Sequence, residues 1–249
     1  MSAIEITPDT LSQLAKYETP AVCDAVELWG LRPHNTGYMN DSISACFPKM
    51  QRMVGFALTS TFCSMAPARK DYEYACIEQQ LEAFAELPGP PVIVFQHLDG
   101  SSASASFGEG MCYRYKAFGA KGIITSGAGR DLDQVEALGF PAFTSGTICG
   151  HGYWQMLAIN VPVTVGGITI YPGDLLHGDR NGVTTIPLEI ASEVPDVCGE
   201  LMSAEQAMYD SFERENVNLA NYSAAHQEYG DRIARLRRRL RGETSAPLR

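Results

Sequence analysis

The sequence predicts one α/β domain with a helical C-terminal extension, and three observations carry that expectation. Apolar runs of strand length at Pro91–Gln96, Gly122–Ser126 and Phe140–Thr144 alternate with stretches of helical period. That alternation spells a βαβαβ unit whose parallel strands are buried on both faces. Residues 161–186 then switch to short β-branched runs separated by Gly-Gly, Pro-Gly and Asn-Gly turns. From Pro187 onward the pattern is helical, acidic up to residue 230 and basic after it. The expected division is residues 1–186 for the α/β domain and 187–249 for the extension.

Each element has a local reason. Thr19-Pro20 sets a cap before a proline at the first helical position, and Ala21, Val22, Ala25, Val26, Leu28 and Trp29 supply an apolar face that Gly30 ends. Residues 31–50 are irregular, with Pro33, Gly37 and Pro48. Met53–Thr61 alternates as a strand through Val54, Phe56 and Leu58. Lys70–Leu87 carries apolar residues at 76, 77, 81, 84 and 87, a helical spacing. A small-residue loop, Asp99–Gly108, leads into a helix Glu109–Phe118 ended by Gly119. A second loop, Gly127–Asp131, leads into a helix that runs through Leu138. The later strands are expected at Val161–Val165, Ile168–Ile170, Asp174–His177 and Val183–Ile186.

Composition excludes several function classes. A chain of 249 residues with 45% hydrophobic residues, 10 Phe, 11 Tyr and 2 Trp is neither disordered nor fibrous. No apolar run approaches the ~20 residues of a spanning helix, and the first residues carry no signal-peptide pattern, so a cytoplasmic protein without membrane contact is expected. The net charge of −10 argues against a general nucleic-acid-binding surface. The exception is the segment 231–249, which holds seven Arg. It fits a solvated helix end, a contact with an acidic neighbouring subunit, or a grip on RNA or another acidic partner. The seven Cys are scattered and form no Cys-x-x-Cys pair, which suits a reducing compartment.

Chemistry is expected at the carboxyl ends of the strands. The loop 99–110 opens a helix whose first amides attract an anion, and its Gly and Ser residues allow close approach. No Gly-Lys-Ser/Thr follows, so this is not a Walker loop. The second loop places Arg130 beside Asp131. Arg can grip a carboxylate with two parallel hydrogen bonds, and Asp can hold a hard divalent cation. The same residues also fit a structural role, with Asp131 capping the next helix and Arg130 paired with Glu109. His97, His151 and His177 have no paired ligand spacing and suit packing or surface positions. Among them His151, in Cys149-Gly-His-Gly, follows the third strand and could line the pocket; Cys149 shows no sign of an activating partner.

Three stretches together resemble one family, the regulator-of-ribonuclease-activity-A-like proteins and class II 4-hydroxy-4-methyl-2-oxoglutarate / 4-carboxy-4-hydroxy-2-oxoadipate (HMG/CHA) aldolases. They are Gly108-Glu109-Gly110 through Gly119-Ala-Lys-Gly122, Gly129-Arg130-Asp131 through Glu136-Ala-Leu-Gly139-Phe-Pro, and Pro172-Gly173-Asp174 with Asp179-Arg-Asn-Gly182 and Ile186-Pro187. Thr19-Pro20-Ala-Val-Cys-Asp24 resembles the family's opening helix. The similarity covers about residues 10–205.

The resemblance implies a compact β/β/α swivelling-type domain, assembled as a trimer or hexamer with sites between subunits. It implies a lyase that releases pyruvate from a small oxo acid, by retro-aldol cleavage of a 4-hydroxy-2-oxo acid or by oxaloacetate decarboxylation. The aldolase signature, an acid, twenty residues, then Arg-Asp, appears here as Glu109 and Arg130-Asp131. Asp131 would then be the protein ligand of Mg²⁺ or Mn²⁺. Arg130 would bind the oxo acid and stabilise the enolate, and Glu109 would hold a metal-bound water that removes the 4-hydroxyl proton. The amides of Gly110 and Met111 would receive the substrate carboxylate. A Glu from a neighbour's C-terminal helix completes the family's sites; Glu205 matches it, with Glu200 the second choice. The family's more usual Asp is Glu109 here, and the acid often found three residues after the Arg-Asp pair is Gln134. The family's other branch, a non-catalytic inhibitor of an RNA-degrading enzyme, and a lyase acting on a different oxo acid are the alternatives.

Overall fold

The structure is a computed structural model, and it describes residues 6–100, 104–213 and 218–243. Its centre is the strand Met53–Cys63, buried along almost its whole length. One edge of this strand pairs in parallel with Pro91–His97, from Phe56 opposite Pro91 to Phe62 opposite His97. The other edge is shared. Leu175–Asp179 pairs antiparallel with its first half, and Gln155–Ile159 with its second half, across a register shift between Thr61 and Phe62. The parallel run continues outward through Gly122–Thr125 and Ala142–Thr144. Ser44–Ala45 borders that side and Gly182–Ile186 the other, making an eight-stranded sheet.

The βαβαβ expectation holds, with helices Glu109–Ala117 and Leu132–Ala137 between the three strands. Alternate residues of Pro91–His97 go to opposite faces, as the pleat requires. Ile93 and Phe95 pack with Leu58, Tyr115, Cys112 and Val135 beneath the helices. Val92 and Val94 pack with Ile124, Phe143 and the hairpin Val163–Val165/Ile168–Ile170 on the other face.

Each of the three strands of the βαβαβ unit continues, after a break, into a short second strand. These three, Ala105–Phe107, Ala128–Gly129 and Gly146–Thr147, form a small parallel sheet of their own. The α/β class and its β/β/α layering are therefore as expected, but two loops of the sequence reading contain strands. Their residues are too few and too small to show a period of two.

One other expectation is corrected, one strand was not expected, and the helical extension takes a definite form. The helix in Lys70–Leu87 is confined to Ile77–Glu82 and a 3-10 turn at Ala83–Glu86. Upstream, the Ala75 amide donates to the Met156 carbonyl at 2.9 Å, a strand-like bridge that a helix would forbid. The strand Gln155–Ile159 went unpredicted, although Gly150 and Gly152 mark a turn just before it. The extension is two helices, Val194–Asp210 and Leu219–Leu240.

Within the chain the extension shares a core with the N-terminal helices. Val194, Val197, Cys198, Leu201 and Leu236 are buried together with Leu14, Val22, Ala25 and Val26. Several basic-tail arginines have structural partners. Arg232 pairs with Glu228 at 2.6 Å, Arg239 makes two hydrogen bonds to Glu200 at 2.6 and 3.1 Å, and Arg241 Nε donates to the Leu28 carbonyl at 2.9 Å. No described helix is long and apolar enough to cross a membrane.

Candidate active site

The small parallel sheet builds the site. Its register sets Phe107 opposite Gly129, so the residues that follow, Gly108 with the helix start and Arg130 with Asp131, emerge side by side. Two glycines permit this closeness. A Cβ on Gly129 would lie 2.4 Å from the Phe107 ring, and one on Gly108 would lie 2.5 Å from Asp131 Oδ2.

Asp131 adopts the left-handed region, φ 55° and ψ 40°, uncommon for a residue with a side chain. It sits at the cap position of helix Leu132–Ala137, yet its carboxylate does not cap that helix. Oδ2 instead accepts from the Glu109 amide at 3.1 Å, at the start of the other helix, and lies 3.6 Å from Arg130 Nε. The structural partners expected from the sequence are thus exchanged: Asp131 accepts at the start of the other helix, and among the described residues Arg130 forms its ion pair with Asp131, not Glu109. Arg130 Nη1 also reaches the Cys149 carbonyl at 3.5 Å.

Of the first amides of helix Glu109–Ala117, that of Glu109 goes to Asp131, and Cys112 makes the first bond back, to the Gly108 carbonyl at 3.1 Å. Those of Gly110 and Met111 precede any intrahelical acceptor, and both residues line a cavity of about 250 Å³. Its other walls include Arg114, Arg130, Asp131, His151 and Trp154. Trp154 is held by its indole N–H, which donates to the Ser106 carbonyl at 3.0 Å. Glu109 is exposed and not part of the cavity wall.

A family model described as RraA-like, Aldolase/RraA, matches residues 19–185. The chain belongs to the Aldolase/RraA family. A Halalkalibacterium halodurans protein provisionally named a 4-hydroxy-4-methyl-2-oxoglutarate aldolase is 39% identical over 108 residues, 43% of this chain and 51% of that protein. The match thus spans about half of that relative. A Hahella chejuensis protein with the same provisional name is 28% identical over 181 residues, covering 69% of this chain and 94% of the relative. Among solved structures, an uncharacterized protein from Pseudomonas syringae pv. tomato has a TM-score of 0.70 at 24% identity, over 91% of this chain and 97% of that one. Streptomyces coelicolor RraAS2, described as an unusual member of the RNase ES inhibitor RraA protein family, has a TM-score of 0.63 at 24% identity, over 85% and 98%. At those identities the two structures establish the fold.

In this Aldolase/RraA chain, Arg130, Asp131, Gly110 and Met111 come together, with Glu109 at the rim. Glu205 and Glu200 lie elsewhere in the chain. Glu200 is engaged by Arg239. Glu205 faces a different cavity of about 320 Å³, shared with Asp24 and Arg52. Burial, and then the nearby Asp24 carboxylate, push the Glu205 carboxyl above its usual range.

The sequence reading missed Arg114 and Trp154. Arg114 follows Gly110 by four residues, the spacing of one helix face, and that signal was available. Trp154 carried none. His97 is a packing residue, as expected, stacked on Phe62 with ring centroids 4.4 Å apart and bonded to Asp99 at 2.9 Å. Ser64 Oγ lies within reach of the same imidazole nitrogen, 3.3 Å away. Asp99 and Ser64 thus share Nε2, which is not the two-sided arrangement of a Ser-His-Asp triad.

Proposed function

We propose that this chain is a divalent-metal-dependent lyase releasing pyruvate, by retro-aldol cleavage of a 4-hydroxy-2-oxo acid, by oxaloacetate decarboxylation, or by both. One observation carries the reading: the guanidinium of Arg130 and the carboxylate of Asp131 converge on the open amides of one helix beside a cavity of substrate size.

The donor set fits Mg²⁺ or Mn²⁺. Oδ1 of Asp131 makes no hydrogen bond or ion pair among the described residues, and no described group of three His, Cys, Asp or Glu is placed to cage an ion. A hard cation that keeps most of its water and accepts one carboxylate suits such a site; zinc does not. When bound at Asp131, the ion would supply Lewis acidity toward the 2-oxo oxygen. The remaining roles fall to the chain's own groups. The Gly110 and Met111 amides receive the substrate carboxylate, aided by the helix dipole. Arg130 donates to the oxygen on which enolate charge grows, an interaction stronger in the transition state than in the substrate. Glu109, at the rim, orders water there.

Glu205 is the group we assign to a neighbouring copy's site, within a trimer or hexamer. Glu200, already held by Arg239, is the weaker choice. All seven cysteines are free thiols, in keeping with a reducing compartment such as the cytoplasm.

The test is pyruvate release, coupled to lactate dehydrogenase, from oxaloacetate and a series of 4-hydroxy-2-oxo acids. It is run with Mg²⁺, Mn²⁺ or EDTA, beside Arg130→Ala. Release that needs metal and disappears in the variant is the expected result. Arg130→Ala retaining full activity would remove the central claim. No release from any substrate would shift the reading to a protein-binding regulator. Arg235 and Arg237, exposed and without an ion pair among the described residues, are the first groups to replace in that case.

A further inference from the structure

We infer that His151 is the base that takes the 4-hydroxyl proton in the retro-aldol reaction, an inference that rests on the lyase reading above. The resemblance gives this task to water held by Glu109, yet of these two exposed side chains it is His151, not Glu109, that forms part of the cavity wall.

Three features prepare the imidazole for that task. First, its Nδ1 lies 3.0 Å from the Gly152 carbonyl oxygen. A carbonyl can only accept, so Nδ1 carries the proton and Nε2 presents a lone pair. Among the described residues Nε2 has no hydrogen-bond partner. Second, the loop bearing it is pinned on several sides. The Ile148 amide donates to the Gly129 carbonyl at 3.1 Å, the Ala105 amide to the Gly150 carbonyl at 2.7 Å, and the Tyr153 amide to the Ser64 carbonyl at 2.9 Å. Gly152 itself has φ 49°, and a Cβ there would lie 2.9 Å from the Ser64 carbonyl oxygen, so the backbone that aims the ring is closely specified. Third, the charged groups sharing the cavity are Arg114, Arg130 and Asp131. Asp131 and Arg130 already have assigned roles, and arginine is not a base at any accessible pH. The Asp99 carboxylate is taken by His97 and Ser64. His151 is therefore the described cavity residue with a free basic nitrogen.

The proton count closes. Nε2 removes the hydroxyl proton, the C4–O bond becomes a carbonyl, and the C3–C4 electron pair moves into the enolate of pyruvate. The imidazolium then returns the same proton to C3. Decarboxylation differs at one point: oxaloacetate offers no 4-hydroxyl proton, CO₂ leaves directly, and solvent can protonate C3. The base is needed in one reaction and dispensable in the other.

That difference supplies the experiment. Wild type, His151→Gln, His151→Ala and Glu109→Gln are assayed with Mg²⁺ on oxaloacetate and on the best 4-hydroxy-2-oxo acid. In His151→Gln, retro-aldol kcat/KM should fall roughly 100-fold or more, with decarboxylation lowered by less than about threefold. Added imidazole should restore part of the retro-aldol rate to His151→Ala. Nitrogen NMR of the labelled wild type should show the Nδ1–H tautomer. Equal loss of both reactions would make His151 structural, and loss of neither, with Glu109→Gln losing the retro-aldol reaction, would return the task to Glu109. Either outcome overturns the inference while leaving the lyase standing. A wild type that only decarboxylates also overturns it, and one that releases no pyruvate removes both readings together.

Discussion

At the scale of single residues, the site depends on two backbone positions as much as on its charged groups. Asp131 occupies the left-handed region, which Asp and Asn tolerate better than other residues with side chains. Asp131→Asn should therefore keep stability within about 0.5 kcal/mol, yet lose Mn²⁺ binding, read by electron paramagnetic resonance, and pyruvate release with it. Asp131→Ala should lose the same functions and a further ~1 kcal/mol of stability in chemical denaturation. Gly108 is a different case. Its φ of −152° is extended and strains no residue, so the obstacle to a side chain there is the Asp131 oxygen, 2.5 Å from a Cβ. Gly108→Ala should push the carboxylate off the Glu109 amide. Activity should fall at least about tenfold, since small displacements of catalytic groups are costly, while thermal unfolding stays close to wild type. A large drop in melting temperature would show that Gly108 serves the fold instead.

At the scale of elements, the N-terminal helix Thr19–Glu27 is tethered by a distant strand. Its first amide donates to Asp179 Oδ2 at 2.9 Å, a cap supplied from 160 residues away. Beside it, buried His177 donates from Nε2 to the Leu14 carbonyl at 3.1 Å and accepts at Nδ1 from the Thr19 hydroxyl at 2.9 Å. Burial holds its pKa down to about 4. An unfolded histidine titrates near 6.5, so between these values the unfolded chain binds the extra proton. The contribution to stability is full above about pH 6.5 and is lost as pH falls toward 4, up to about 3 kcal/mol in all. Urea unfolding of wild type and His177→Gln at a series of pH values should show a shallower slope for the variant across that window. The C-terminal helix is held differently. Its Arg239–Glu200 pair is about half exposed at both ends, so Arg239→Ala should cost less than about 1 kcal/mol. Leu236→Ala, which empties a buried position, should cost about 2–3 kcal/mol.

At the scale of the whole molecule, charge and assembly meet around Glu205. Burial raises the Asp24 carboxyl, with Glu27 adding to it, and burial raises Glu205, with Asp24 adding to it. Acids raised in the folded state gain stability as pH falls through their folded pKa, opposite in sign to His177, which is why a single-site variant is needed to see the histidine. If a neighbour's Glu205 completes each site, Arg130→Ala and Glu205→Gln chains should both be weak alone. Mixed oligomers of the two should recover activity, because some sites then draw both intact residues. Light scattering should give the mass of a trimer or hexamer. An active monomer, or mixtures no better than their parents, would refute this assembly.

The sequence by itself determined the βαβαβ unit, because Pro91–Gln96 and its two partners are unbroken apolar runs that only a doubly covered sheet can bury. It also determined the Arg130-Asp131 pair and the helix start at Glu109, since a Gly-rich loop before a helix exposes amides wherever it occurs. It did not disclose that Asp131 reaches across to the Glu109 amide instead of capping its own helix. That contact follows from the pairing of Phe107 with Gly129, between strands of two and three residues too short to leave a periodic trace. It offered His151 as a pocket residue only beside a packing role, and it did not show that Trp154 closes the cavity while Glu109 stays outside its wall. Which side chains face a common space depends on how distant loops are pinned, here by Gly129, Ala105 and Ser64, and those hydrogen bonds join backbone atoms that every residue possesses. Backbone atoms carry no signature of residue type, so tertiary structure alone decided which groups share the site.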